Sequence, residues 1–235
     1  MNEPAPSGLE VRGVSGSGRD GETVRVLTAS FALGRFHLLR GPQGGGKAAL
    51  LRWLGLLQIP EAGEVFVHGN PTRAMSDEAR AELRAQRFGF VFAAPFLLGS
   101  FTVIENVAMP LLKISRVTSE EARRRTENLL AHVGLADAAQ LKVDQLSLLA
   151  QYQVAVARGL VNEPSFLLVE DVDGALAGED LHAFVELLHR AGAQLGTTII
   201  ATASPALSLR WPHRVLDIAG GAIADDVQLL PEAGA

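Results

Sequence analysis

Apolar and polar positions alternate at the start of the chain. Residues 9–14 and 22–27 carry that period of two, are rich in valine, and predict strands split by a glycine-rich turn at 16–21. Residues 36–40 form a short apolar run that stops at Gly41 and Pro42, the pattern of a buried strand. From 47 to 57 the spacing turns helical, with Leu50, Leu51, Leu54 and Leu57 on one side. A glycine-bounded strand follows at 64–68, then a charged, alanine-rich helix at 77–86 capped by Ser76, then a strand at 88–92.

The middle of the chain loses its strand pattern. Residues 102–112 read as helix. Thr118-Ser119-Glu120-Glu121 is a capping box that opens a basic helix running to about Val133, and 145–161 predicts a third helix. Strand patterns return at 166–169 and 197–201 with a helix at 180–191 between them. Residues 214–218 and 222–224 flank Gly220-Gly221 as a hairpin. Strands alternating with helices predict an α/β fold with a mainly parallel sheet, whose ligands sit at the carboxyl ends of the strands. The expected organisation is one domain over 1–235, with a core at about 9–94 and 162–225 and a helical subdomain at about 95–161.

Composition narrows the class. With 48% hydrophobic and 20% charged residues the chain has enough apolar matter for a sizeable core. Disorder is expected only at the ends, around Pro4, Pro6 and 232–235. A net charge of -5 argues against nucleic-acid binding, and the absence of cysteine excludes disulfides and thiolate metal sites. The polar start with Glu3 is not a secretory signal, and no apolar run reaches bilayer length. These features predict a soluble cytosolic protein able to dock on a membrane partner.

Gly41-Pro42-Gln43-Gly44-Gly45-Gly46-Lys47 fits the G-x-x-x-x-G-K spacing, with an apolar strand before it and a helix, opened by Ala48 and Ala49, after it. Glycines let backbone N–H groups turn inward around a phosphate chain, the helix N-terminus adds partial positive charge, and Lys47 adds a full one. The residue after the lysine should be Ser or Thr to bind Mg²⁺. Ala48 offers no oxygen, so a phosphate cradle remains and one metal ligand is gone. Six histidines (His37, His68, His132, His182, His189 and His213) share no metal-ligand spacing. Arg123-Arg124-Arg125 reads as a solvated helix face.

Several ordered motifs then agree with one family. Phe90-Val91-Phe92, Phe96-Leu97-Leu98 and the stretch 102–112 resemble, without a gap, the ABC ATPases that serve lipoprotein-releasing, macrolide-exporting and cell-division permeases. Leu146-Ser147 with Val154–Arg158 resembles the signature and its helix. Asn162-Glu163-Pro164, the strand after it, Gly174 and Leu176 resemble the Walker B segment. Residues 196–200 resemble the strand before the switch histidine. The likeness spans about 9–221. It implies the ABC ATPase fold, a P-loop NTPase-type mainly parallel sheet with an N-terminal antiparallel β part and an inserted helical subdomain. It also implies ATP as cofactor, a second ABC-type subunit as partner in a homo- or heterodimer, a membrane permease, and a peripheral place on the inner face of the cell membrane.

The departures fall on the positions that touch nucleotide. No adenine-stacking aromatic stands at 15–18. The metal-sensing glutamine is Ala93, and the signature reads Leu146-Ser147-Leu148-Leu149-Ala150. The Walker B pair reads Glu170-Asp171, the aspartate of the next loop is Ala177, and the switch histidine is Ala203. Phosphoryl transfer depends on positioning and electrostatic stabilisation. Ala48 and Ala93 remove two oxygens around Mg²⁺, leaving Glu170 as the one candidate metal ligand. Asp171 is a methylene shorter than the glutamate that orients water, and Ala203 cannot touch a γ-phosphate. The sequence therefore predicts a pseudo-ATPase: no catalytic set intact, ATP held with weak or no Mg²⁺ dependence, and a signature that spoils the partner's site as well. Two rivals are a working export ATPase and a nucleotide-free scaffold.

Overall fold

The computed structural model describes residues 7–18, 21–115 and 117–229. The expected disorder at Pro4, Pro6 and 232–235 lies outside these, as do residues 19–20 of the expected turn. β1 (Ser7–Ser17) and β2 (Thr23–Ala32) pair antiparallel, and β1 also pairs with β4 (Ala62–Val67), which continues to β5 (Asn70–Pro71). This four-stranded sheet has the order β2-β1-β4-β5.

A second, six-stranded sheet has the order β10-β9-β3-β8-β7-β6. Its members are β3 (Phe36–Arg40), β6 (Phe88–Val91), β7 (Phe166–Val169), β8 (Thr198–Ala203), β9 (Arg214–Ala219) and β10 (Ala222–Gln228). All its pairings are parallel except β10 with β9. Both faces of a parallel sheet are covered, and every residue of β7 and β8 is accordingly buried. The strand period of two sends Leu38, Leu167, Ile199 and Val215 into one apolar cluster and Leu39, Leu168, Ile200 and Leu216 into the other. The first cluster is closed by α3 (Val103–Pro110), α4 (Ser119–His132), α5 (Leu148–Leu160) and α6 (Gly178–Leu195). The second is closed by α1 (Lys47–Leu54) and the antiparallel sheet. Helix α2 (Asp77–Arg87) begins at its Ser76 cap, whose hydroxyl accepts from Ala79 N at 3.2 Å.

Several predicted boundaries move, for local reasons. The helix expected over 47–57 ends at Leu54. Gly55 is its C-cap, where a Cβ would sit 2.6 Å from Leu168 and 2.7 Å from Phe90, and Leu57 emerges exposed beyond it. The helix expected over 102–112 starts after Thr102, which forms a capping box with Glu105. It stays regular to Pro110 and continues through 111–115 as a wider π turn. The helix expected from 145 starts at Leu148, because Ser147 is the N-cap and Val143–Gln145 is a separate 3-10 turn. Helix α6 is longer than the expected 180–191 and stops at Gly196, where φ is +68°. Strands β1, β2, β8 and β10 also outrun their predictions.

Candidate functional site

The phosphate loop lies between β3 and α1. Gly41 leaves the strand so close to β9 that a Cβ there would be 2.0 Å from the Ile218 carbonyl oxygen. Gly44 and Gly46 hold φ of +71° and +100°, which side chains rarely adopt, and this turns the loop's amides inward. The loop is tied at both ends. Gly45 N donates to Pro42 O at 3.1 Å, and Gly221 N, from the β9–β10 turn, donates to Gly45 O at 3.2 Å. Lys47 Nζ folds back onto the carbonyls of Gly41 and Pro42 at 2.7 and 2.8 Å. Burial pushes the Lys47 ammonium below its ordinary pKa, while the carboxylates of Asp171, Glu22 and Asp173 oppose that shift.

The loop opens into a cleft of about 530 Å³ at the carboxyl ends of the parallel strands. Gly41, Gln43, Gly44, Lys47, Ala48, Ala93, Glu170 and Asp171 line it, so residues far apart along the chain meet there. Pro42, Gly45 and Gly46 complete the loop. Ala49 turns its side chain into the core while its amide faces Glu22. Ala203, expected at the switch position, does not face the cleft: it is wholly buried at the end of β8 with its methyl group in the core, and its neighbours Thr202 and Ser204 line the cleft instead. Residues 146–150 do not line the cleft: Ser147 caps α5, Leu148 is exposed, and Leu149 and Ala150 pack partly against the core.

The two carboxylates after β7 are each held by their own surroundings. Glu170 Oε1 accepts from the Arg52 guanidinium at 3.3 Å, with both side chains largely buried. Asp171 takes the left-handed conformation at φ +55° and receives a hydrogen bond from neither cation of the cleft. Its amide donates to Thr202 Oγ1 at 2.8 Å. A Cβ on Gly174 would come within 2.1 Å of Asp171 Oδ2, so the carboxylate lies down on its own loop. Beside it, Asp173 accepts from Ser204 N at 3.0 Å and from Ser204 Oγ at 2.5 Å, latching the turn after β7 to the end of β8. Tyr152, on α5, donates its hydroxyl to Ala93 O at 2.5 Å and so fixes the backbone where a metal-sensing glutamine would stand.

The loop fits a phosphate group, while the wall facing it does not gather the oxygens of a Mg²⁺ shell. The loop supplies inward amides and a lysine. The metal side supplies methyl groups at Ala48 and Ala93, Glu170 already paired with Arg52, and Asp171 turned onto its own loop. Among the described residues no group of three or more His, Asp or Glu is gathered to hold a metal ion. The cleft's charged lining is Lys47 and Arg52 against Glu22, Glu170 and Asp171, so an unaccompanied polyphosphate meets more carboxylates than cations.

Glu22, Arg52, Asp173, Thr202 and Ser204 were not singled out by motif. Thr202 and Ser204 sit at the carboxyl end of a parallel strand, a position that marks them as cleft residues. Glu22 read only as the start of a strand and gave no such signal.

The comparisons with known proteins agree with one another. A family model described as ABC transporter matches residues 24–172. The lipoprotein-releasing system ATP-binding protein LolD of Gluconobacter oxydans is 37% identical over 222 residues, covering 92% of this chain and 96% of that protein. The protein of the same name from Maricaulis maris is 38% identical over 202 residues, covering 84% and 86%. MJ0796, a bacterial ABC transporter cassette solved as a dimer, superposes with a TM-score of 0.83 at 27% identity, over 94% of this chain and 99% of that one. A post-hydrolysis dimer of MJ0796 bound to ADP and Pi gives 0.82 at 26% identity, over 94% and 99%.

Proposed function

The chain belongs to the ABC transporter family and has its ATPase fold, and from that premise we propose that it is a nucleotide-binding subunit that has lost most of its catalytic machinery. It acts as a non-hydrolysing or very weakly hydrolysing structural or regulatory partner of a membrane permease. The observation that carries this reading is the metal side of the cleft. Ala48 and Ala93 present no side-chain oxygen, Glu170 is engaged by Arg52, and Asp171 lies against Gly174. One missing electrostatic donor costs about 10²–10³ in rate, and a misplacement of roughly 1 Å costs about 100-fold, so their joint loss leaves turnover near background.

Nucleotide enters this account as a ligand whose phosphates rest on residues 41–49, held with little help from Mg²⁺. The signature extends the loss to a partner. In a dimer of this family each signature caps the other subunit's nucleotide, and Leu148 and Leu149 bring side chains where the backbone must approach closely. The residues 95–161 form the helical subdomain that meets the permease. A groove of about 440 Å³ runs between the two regions, lined by Phe90, Phe92, Phe96, Pro110, Ile114 and Arg158, and Phe96 is 71% exposed. An apolar helix of a permease fits such a groove. Among the described residues no helix is long and apolar enough to cross a membrane, in keeping with a subunit that docks peripherally on the inner face. The relatives' name points to lipoprotein release as the transport step. Their ATP-binding role also favours a second reading, a working export ATPase.

Two assays separate the readings. Mg²⁺-ATP hydrolysis by the purified chain is expected to match that of Lys47→Ala; robust turnover lost in Lys47→Ala establishes the working ATPase. Phe96→Asp is expected to reduce permease co-purification, and undiminished recovery rejects the groove as the docking site.

A further inference from the structure

We propose that Glu22 is a built-in competitor for the phosphate loop, its carboxylate standing where a phosphate oxygen would accept from the N-terminus of α1. The inference rests on the reading of residues 41–49 as a phosphate site and says what decides its occupancy. Glu22 Oε2 accepts from Ala49 N at 3.0 Å. That amide belongs to the third residue of α1 and is one of the orphan donors of a helix start. The helix has no other provision for it. Gly46 has no side chain to cap with, and no acidic residue stands in the first turn. Glu22 is therefore the anion that complements this end of the helix.

Its position is fixed by backbone contacts. Glu22 O accepts from Gly18 N at 2.6 Å, and Arg25 N, three residues on, donates to Gly221 O at 2.7 Å. Gly221 in turn donates to Gly45 O at 3.2 Å, so the strand that begins just after Glu22 is stitched to the loop that Glu22 faces. Gly18, which stands about where the family's adenine-stacking aromatic is expected, lies against Ala49. A Cβ there would be 2.8 Å from Ala49 Cβ and 3.2 Å from Glu22 Oε2. The same few residues thus both omit a base platform and fill the approach to the first turn of α1. A phosphate seeking the Ala49 amide must displace Glu22 and then lie beside its charge. Neutralising or removing the carboxylate frees one charge-assisted hydrogen bond for the ligand and removes a like charge. By the usual size of such bonds, affinity should rise about 10- to 100-fold.

The test compares the full-length wild type with Glu22→Ala and Glu22→Gln. Glu82→Ala, which removes a carboxylate outside the cleft, is the control. Binding of ATP and of orthophosphate, each in EDTA, is measured by calorimetry and by thermal shift. Glu22→Ala is expected to bind both ligands at least about 10-fold more tightly than wild type, with Glu22→Gln between them and Glu82→Ala unchanged. Tighter orthophosphate binding in Glu22→Ala without any ATP binding leaves the competitor standing and removes the nucleotide reading. Equal affinities in wild type and Glu22→Ala for both ligands, or no binding of either ligand by any variant, overturns the proposal.

Discussion

Arg158 joins the signature helix to the groove and gives a prediction whose size follows from the structure. Its guanidinium donates to Phe96 O at 2.7 Å and to Pro95 O at 2.8 Å. Burial lowers its pKa from the ordinary arginine value, so part of what these bonds contribute offsets the cost of desolvating the charge. Hydrogen bonds to a charged group are worth about 1.5–3 kcal/mol each. Two of them, less the desolvation cost, leave about 2–4 kcal/mol. They also restrain Phe96, whose φ of +45° is a strained conformation for a residue with a side chain. Arg158→Met keeps an unbranched apolar stem and removes both bonds. For a chain of 235 residues each kcal/mol moves the melting midpoint by about 2–4 °C, so a fall of roughly 5–15 °C is expected by thermal denaturation. Arg158→Lys, which retains a donor, should fall between. Because Phe96 is then free to leave its conformation, permease co-purification should weaken in parallel. A melting midpoint unchanged in Arg158→Met would refute the claim that these two carbonyls hold the groove's lip in place.

Two further predictions concern single contacts. Tyr152→Phe keeps the ring packed on Phe184 and removes the hydroxyl bonded to Ala93 O, so it should cost about 1 kcal/mol in urea unfolding, whereas Tyr152→Ala should cost about 3–5 kcal/mol. His37 is buried, and desolvation lowers its pKa to about 4, with Arg214, His213 and Arg35 adding repulsion. The unfolded chain then binds the extra proton between about pH 6.5 and pH 4, so this residue's contribution to stability is present above that window and lost as pH falls through it. From pH 7 to pH 5 the loss is about 2 kcal/mol, measurable as the difference in unfolding free energy between wild type and His37→Phe. An identical pH slope in the two proteins would contradict the assignment.

The parts of the molecule legible in the sequence are those set by local rules. The glycine loop before Lys47, the caps at Ser76 and Thr118, and the Gly220-Gly221 hairpin each follow from conformations that neighbouring residues impose. The hydrophobic spacing places Thr102 inside its helix, yet the local capping box with Glu105 sets it just outside. The end of α1 is marked locally by Gly55, but the periodic Leu57 beyond it carries the helical pattern too far; what the sequence hides is that Gly55 also makes room for Leu168 and Phe90 from distant strands. The cleft's electrostatics were hidden for the same reason. Arg52 meets Glu170 across 118 positions and Ala49 meets Glu22 across 27, and neither pairing leaves a periodic or motif-like trace. The alanines at 48 and 93 are visible as missing oxygens, but the groups that engage the remaining carboxylates are not.

The proposed loss of hydrolysis is tested most directly by steady-state Mg²⁺-ATP turnover of the subunit assembled with a permease in lipid vesicles, measured for wild type and Lys47→Ala side by side. The account predicts the same near-background rate in both, because the groups that would hold metal and water are absent or engaged elsewhere. Turnover well above background in the wild type that disappears in Lys47→Ala would contradict it.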